Sequence, residues 1–180
     1  NRRGQFSGRN KLSGPPKFDY MRLAHPPVTF VHEKLKAEHR LPAAQAFARE
    51  QKLNEVFDGD VSEIGIVVLG GLYNSVVRTL GRIGLADLFG AARIPIYVLN
   101  LAYPLVPDEV AQFCAGKRAV LIVEEGNPDY IEQQINTQLR RADIQTQIHG
   151  KDCLPAAGEY TQDVLLRGLA AFLTKTRPAG

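Results

Sequence analysis

Cysteine is nearly absent from this chain, with Cys114 and Cys153 the two present in 180 residues. Neither reads as having a Cys or His partner at metal-ligand spacing, which argues against a zinc site or a cluster. Nothing signals secretion, so a disulfide is not expected and a reducing, cytoplasmic setting is. Cys114 falls within a helical apolar pattern and reads as a buried structural thiol. Long apolar runs are missing too: none approaches the ~18 residues that a membrane-spanning helix needs. The chain opens at Asn1 without an initiator Met or an apolar signal region, which leads us to expect a fragment, or a chain lacking its true N-terminus. Acidic residues are scarce at the start, where Asp19 alone opposes Arg2, Arg3, Arg9, Lys11 and Lys17. Aromatic interleaving among these basic residues goes no further than Phe6 and Phe18, so this cluster reads as a solvated tail or a domain contact, not as a nucleic-acid arm.

What is present fits a soluble globular protein, with 44% hydrophobic and 23% charged residues. The sequence divides near Gly59. Residues 1–59 form an irregular extension or linker, rich in Pro and basic residues, in which residues 1–30 are expected to be poorly ordered. Within it, residues 28–31 (Val-Thr-Phe-Val) can make a short strand, and Pro42 fits the first turn of a helix over about 42–52. Residues 60–180 alternate strands and helices. Ile64–Leu69, Ile94–Leu99 and Ala119–Val123 are near-continuous apolar runs, as strands buried on both faces should be. Ile144–Ile148 alternates like an edge strand. Between them lie a helix with Leu72, Val76, Leu80 and Ile83 at helical spacing, and one opened by Pro107-Asp108-Glu109 and closed by Gly116. A third is capped by Asn127 and begins at Pro128, and a last is capped by Thr161. The predicted fold is α/β, three-layered, with about five mainly parallel strands.

Ligands of open α/β sheets sit beyond the carboxyl ends of the strands, so the loops there hold the candidate chemistry. Gly70-Gly71 before a helix can cradle an anion, but the stretch is neither a dinucleotide fingerprint nor a P-loop, and a tight turn explains it as well. Tyr103-Pro104 presents a hydroxyl or makes a rigid turn. Glu124 and Glu125 invite an acid–base reading, yet adjacent side chains point apart; they bond to a neighbouring domain or cap a helix. His25, His32, His39 and His149 are scattered; His32 and His39, seven apart, could share a helix face, but no carboxylate or Cys completes a ligand set there. Gly150-Lys151-Asp152 and Gly158-Glu159-Tyr160 suit a contact role. Since loops after successive parallel strands converge, Tyr103, Pro104, Glu124, Glu125 and Glu159 are expected together at one sheet edge as an interdomain contact surface.

Four stretches carry a resemblance: IVVLGGLYNSVVRTLGRIGL (66–85), IPIYVLNLAYPLVPDEV (94–110), FCAGKRAVLIVEEG (113–126) and HGKDCLPAAGEYT (149–161). Together they resemble one region of the long, fused indolepyruvate ferredoxin oxidoreductases of bacteria, over nearly all of residues 20–175. The resemblance implies a parent enzyme that oxidatively decarboxylates aryl 2-oxoacids to acyl-CoA. It implies thiamine diphosphate, Mg²⁺ and 4Fe–4S clusters as the parent's cofactors, and ferredoxin, CoA, the parent's other domains and further copies of the parent as partners, with no nucleic acid or membrane. This chain is similar to the parent's transketolase C-terminal-like module, expected to be a non-catalytic scaffold inactive in isolation. Gly59-Asp60 is followed by Val61, where a thiamine diphosphate motif has Gly, and closely spaced cysteines are missing. No catalytic, cofactor or metal residue of the family therefore carries over. The alternatives are a stand-alone anion- or nucleotide-binding module using Gly70-Gly71, and a purely structural docking domain.

Overall fold

The structure, a computed structural model, describes residues 25–176. These divide after Pro42 into two compact units. The basic cluster and most of the stretch expected to lack order lie outside the described residues.

The first unit begins with helix α1 (Val28–Leu35), continues through a π-helical turn over Lys36–Arg40, and leads into α2 (Leu41–Glu50). The short strand expected at 28–31 is therefore corrected to helix. Its β-branched residues favour extended chain, but the Glu33–Arg40 stretch that follows is made largely of good helix formers and carries the segment as helix. The N–H groups of Val28 and Thr29 both donate to His25 O, at 2.8 and 3.3 Å, closing the first turn. Phe30, Val31 and Leu35 stay exposed.

The second unit is built on a five-stranded sheet in the order β1-β3-β2-β4-β5. Strands β2 (Ile64–Leu69), β3 (Ile96–Leu99), β4 (Ala119–Val123) and β5 (Gln147–His149) are parallel, and β1 (Glu55–Phe57) runs antiparallel along the β3 edge. The fold class read from the sequence thus holds: α/β, mainly parallel, five strands. The sheet reaches back ahead of residue 60, because Glu55–Phe57 supply an edge strand too short to announce itself by periodicity.

Successive residues of a strand point to opposite faces, and the core divides accordingly. Ile64, Ile66, Val68, Leu121 and Val123 pack with α3 (Tyr73–Arg82) and α6 (Gln162–Lys175) on one face. Val67, Tyr97, Val120 and Ile122 pack with α4 (Pro107–Cys114) and α5 (Tyr130–Arg141) on the other. Because both faces are covered, β2, β3 and β4 are apolar throughout, which is why those runs were so legible. The chain adds β3 on one side of β2 and β4 on the other, so the order reverses between β2 and β4.

Element ends differ from expectation for local reasons. β3 starts at Ile96, two residues late, since Pro95 has no N–H for the ladder; its carbonyl still accepts from Ile66 N–H at 3.0 Å. β5 starts at Gln147, whose N–H donates to Arg118 O at 3.0 Å; Thr146 before it is anchored through its hydroxyl, which shares its proton between Cys114 O at 2.7 Å and Lys117 O at 2.9 Å. Pro107 opens α4 and Gly116, at φ +74°, follows its end, as expected. Among the described residues no helix is long and apolar enough to cross a membrane.

Candidate interdomain contact site

The carboxyl ends of β4 and β5 are tied into one hydrogen-bonded cluster. β4 runs out at Val123, and Glu124 behind it is only 7% exposed. Its carboxylate accepts from Ile131 N–H at 3.0 and 3.1 Å and from Glu132 N–H at 3.2 Å. These are unpaired donors of the first turn of α5, where a negative charge also meets the positive end of the helix dipole. The expected cap, Asn127, does not act: α5 starts at Tyr130, and Asp129 at its N-cap position makes no side-chain cap bond. Glu124 replaces it, so its carboxylate is occupied in capping a helix within this unit.

Glu125 points elsewhere and is exposed. Its carboxylate accepts a hydrogen bond from Tyr160 N–H. Tyr160 is buried, and its hydroxyl donates to Pro155 O at 2.8 Å. Lys151 closes the cluster, its ammonium donating to Glu124 O and, at 2.8 Å, to Tyr160 Oη, with the ammonium 5.1 Å from the Tyr160 ring centroid. The Lys151 N–H donates to Glu132 Oε2 at 3.0 Å. Burial pushes the Glu132 carboxyl above the usual range. Gly150 leaves room for this carboxylate: a Cβ there would lie 2.0 Å from Glu132 Oε2, and the Glu132 side chain would have to move.

A second network staples β5 to the end of α6. Asp152 lies 2.7 Å from His149 Nδ1 and 2.6 Å from Lys175 Nζ. Burial alone raises the Asp152 carboxyl, but hydrogen bonds from Lys175 and His149 outweigh it and hold the group well below the usual range. Burial and the neighbouring Asp152 push the Cys153 thiol up to about 11, so it stays protonated at neutral pH. Donor atoms of His149, Asp152 and Cys153 all lie within 4.8 Å of one another. The scattered histidines thus include one with a carboxylate and a thiol beside it, which corrects the reading of the sequence; the spacing His149-x-x-Asp152-Cys153 was the overlooked signal. A cation, the Lys175 ammonium, already sits on Asp152.

Of the five expected contact residues, the structure brings Glu124, Glu125 and the Glu159-Tyr160 segment together. Glu159 is exposed, and its carbonyl accepts from Thr161 N–H at 2.9 Å. Tyr103 and Pro104 follow β3, which β2 separates from β4. They share the edge but stand two strand spacings, ~10 Å, from the cluster. Tyr103 is 55% exposed, and the bond to Pro104 is cis. Their loop is firmly held: Leu105 O accepts from Gln45 Nε2 at 2.7 Å, and Leu101 N–H donates to Asn54 Oδ1 at 3.0 Å.

Of Gly70-Gly71, the first is packed closely and the second faces open space. A Cβ on Gly70 would lie 2.5 Å from Asn100 Oδ1. The Asn100 amide in turn donates to Leu53 O at 2.9 Å and Glu55 Oε2 at 3.0 Å, joining the end of β3 to the start of β1. The sequence also gave no hint of a cavity of about 410 Å³ between β1 and α4, lined in part by Asn54, Asp58, Tyr97, Glu109 and Lys117. Inside it Tyr97 Oη donates to Glu109 Oε2 at 2.8 Å, and Asn54 Nδ2 donates to the same oxygen at 2.9 Å. Burial and the Glu109 carboxylate hold the Tyr97 phenol far above its ordinary range, fixing it as a donor.

Comparison with known proteins finds no matching family model. It does find the indolepyruvate oxidoreductase subunit IorA of Methanothermobacter thermautotrophicus, 33% identical over 128 residues, 69% of this chain and 19% of the relative. The same subunit of Methanothermobacter marburgensis is 30% identical over 143 residues, 78% of this chain and 21% of the relative. That of Thermococcus kodakarensis is 30% identical over 117 residues, 65% of this chain and 17% of the relative. Among solved structures, a split-gene transketolase described as an inactive β4 tetramer aligns with a TM-score of 0.49 and 16% identity, over 69% of this chain and 42% of that one. The resemblance carried by the four sequence stretches is thereby upheld: over most of its length this chain is a homologue of the indolepyruvate oxidoreductase subunit IorA, spanning about a fifth of that subunit.

Proposed function

We propose that this chain is a scaffold and interface domain of a cytoplasmic 2-oxoacid:ferredoxin oxidoreductase that converts indolepyruvate or related aryl 2-oxoacids to acyl-CoA. In this reading thiamine diphosphate, Mg²⁺ and the 4Fe–4S clusters are bound by other parts of the polypeptide, which also meet CoA and ferredoxin. The residues here do not fit those groups. Asp60, in the incomplete Gly59-Asp60-Val61 stretch, is gripped by Arg93, whose Nη2 donates to Oδ2 at 2.8 Å and whose Nε donates to both carboxylate oxygens at 3.1 and 3.2 Å. Cys114 is buried, and burial pushes its thiol up to about 12.

The observation that carries the proposal is the cluster at the ends of β4 and β5. The two most family-like stretches, AGKRAVLIVEEG and HGKDCLPAAGEYT, meet there through the Glu125–Tyr160 and Lys151–Glu124 hydrogen bonds. The internal bonds fix the backbone of a surface whose outward side chains include Glu159, with Tyr103 farther along the same edge. Rigid backbone with exposed aromatic and charged side chains suits recognition of a neighbouring domain. Tyr103→Ala and Glu159→Ala test this in the full-length subunit. The expected result is weakened assembly and reduced 2-oxoacid oxidation, with the melting temperature of the isolated chain shifted by no more than ~2 °C. Normal assembly and turnover in both variants would contradict it.

A further inference from the structure

The loop between α3 and β3 holds two large apolar side chains in open solvent. Leu88 is 100% exposed and Phe89 96% exposed. This segment is a constructed turn. Ala86 and Ala92 form an antiparallel bridge, Arg93 N–H donates to Leu85 O at 2.8 Å, and Asp87 N–H donates to Ala91 O at 3.0 Å. Asp87 Oδ1 accepts from Phe89 N–H at 2.8 Å and from Ala91 N–H at 2.9 Å. Gly90, at φ +88°, completes the reversal. Arg93 is in turn pinned by Asp60 at 2.8 Å. Turn tips are ordinarily Gly, Asn, Asp or Ser, each for a conformational reason. Leu and Phe have none here, and each forgoes the ~1.5–3 kcal/mol that burial would return.

We infer that Leu88-Phe89 is a docking knob that enters an apolar cleft on another part of the same, longer polypeptide. The inference rests on the reading that this chain is a segment of an IorA-like subunit, which its span of about a fifth of the relatives supports. Area decides between occupants. A Phe side chain buries at most ~150–250 Å², and with Leu the knob offers well under the ~800 Å² per partner that stable association of separate chains requires. A second copy, or an unlinked protein, would not be held by it. A tethered domain meets its neighbour at an effective concentration in the ~mM range, where a small apolar contact suffices. The knob lies before β3, at the amino edge of the parallel strands, opposite the cluster that follows β4 and β5. It is a second surface.

The test places the photo-crosslinking residue p-benzoylphenylalanine at position 89 of the full-length subunit. The expected product is an intrachain crosslink from position 89 to a segment outside this 180-residue region. A crosslink to a second copy or to a different protein, or no crosslink, overturns the inference. In the isolated chain, Leu88→Ser with Phe89→Ser should shift the melting temperature by no more than ~2 °C; a large drop would show that the turn packs within this domain, which also overturns it. Failure here leaves the behaviour of Tyr103 and Glu159 as a separate result, so the two surfaces are judged independently.

Discussion

Glu124, just past the end of β4, caps α5 through Ile131, its carboxylate accepting the Ile131 N–H at 3.0 Å from seven residues upstream. The helix is thereby fixed to the sheet by a side chain that is not in its own first turn. Glu124→Ala leaves two backbone donors unpaired in a buried setting and should cost roughly 1–3 kcal/mol. Glu124→Gln keeps an acceptor oxygen and should cost less. Urea denaturation of both variants checks this; equal stability of the Ala variant and the parent chain would refute the cap.

Lys151 and Tyr160 should be energetically coupled. The ammonium donates to Tyr160 Oη at 2.8 Å and to Glu124 O, so each side chain positions the other. Lys151→Met and Tyr160→Phe should each destabilise by roughly 1 kcal/mol or more, and the double variant by less than their sum. A double-mutant cycle reads the coupling, and strict additivity would show the two bonds to be independent.

Asp152 carries the pH dependence. Its folded pKa is depressed chiefly by Lys175 and His149 working against burial. The stabilisation is therefore complete above the unfolded carboxylate's ~3.9 and is lost as pH falls from there through the lower folded value. Asp152→Asn should lower stability at pH 7 and flatten the acid limb of a stability–pH curve. The side chains of Asp152 and Lys175 are 44% and 43% exposed, so added salt should shrink the difference between parent and variant. An unchanged acid limb would place the acid sensitivity elsewhere.

Gly59 and Gly71 make a contrasting pair. A Cβ on Gly59 would lie 2.3 Å from Arg93 O, backbone against backbone, whereas one on Gly71 would meet nothing within 4 Å. Gly59→Ala should destabilise by roughly 1–3 kcal/mol or prevent folding, and Gly71→Ala should be close to neutral. Thermal melts of the two variants separate them.

The strands of the parallel core were legible because burial on both faces writes itself as an uninterrupted apolar run, as in Ile66–Leu69 and Ala119–Val123. Pro107, Gly116 and Thr161 marked helix ends through local chemistry that sequence alone displays. The features that escaped depend on partners distant in the chain. β1 has three residues and is a strand only because β3 lies beside it. Val28–Val31 has strand-forming residues yet opens a helix. Asn127 looked like the cap of α5, but Glu124 caps it; capping was one of two roles the sequence offered for Glu124, and nothing local chooses between them or names the helix. The convergence of Glu125 with Tyr160 followed from parallel topology; the ~10 Å offset of Tyr103 required the strand order. His149, Asp152 and Cys153 were close in sequence all along, and only the turn at Gly150 makes their side chains neighbours.

The central claim, that the strand-end edge is a contact surface within a larger oxidoreductase, is tested most directly by amide hydrogen exchange on the isolated chain and on the full-length subunit. The account predicts added protection in the full-length subunit at residues 101–103, 125–127 and 156–160, with little change in the buried strands β2 and β4. Identical exchange at those three segments in both proteins would contradict it.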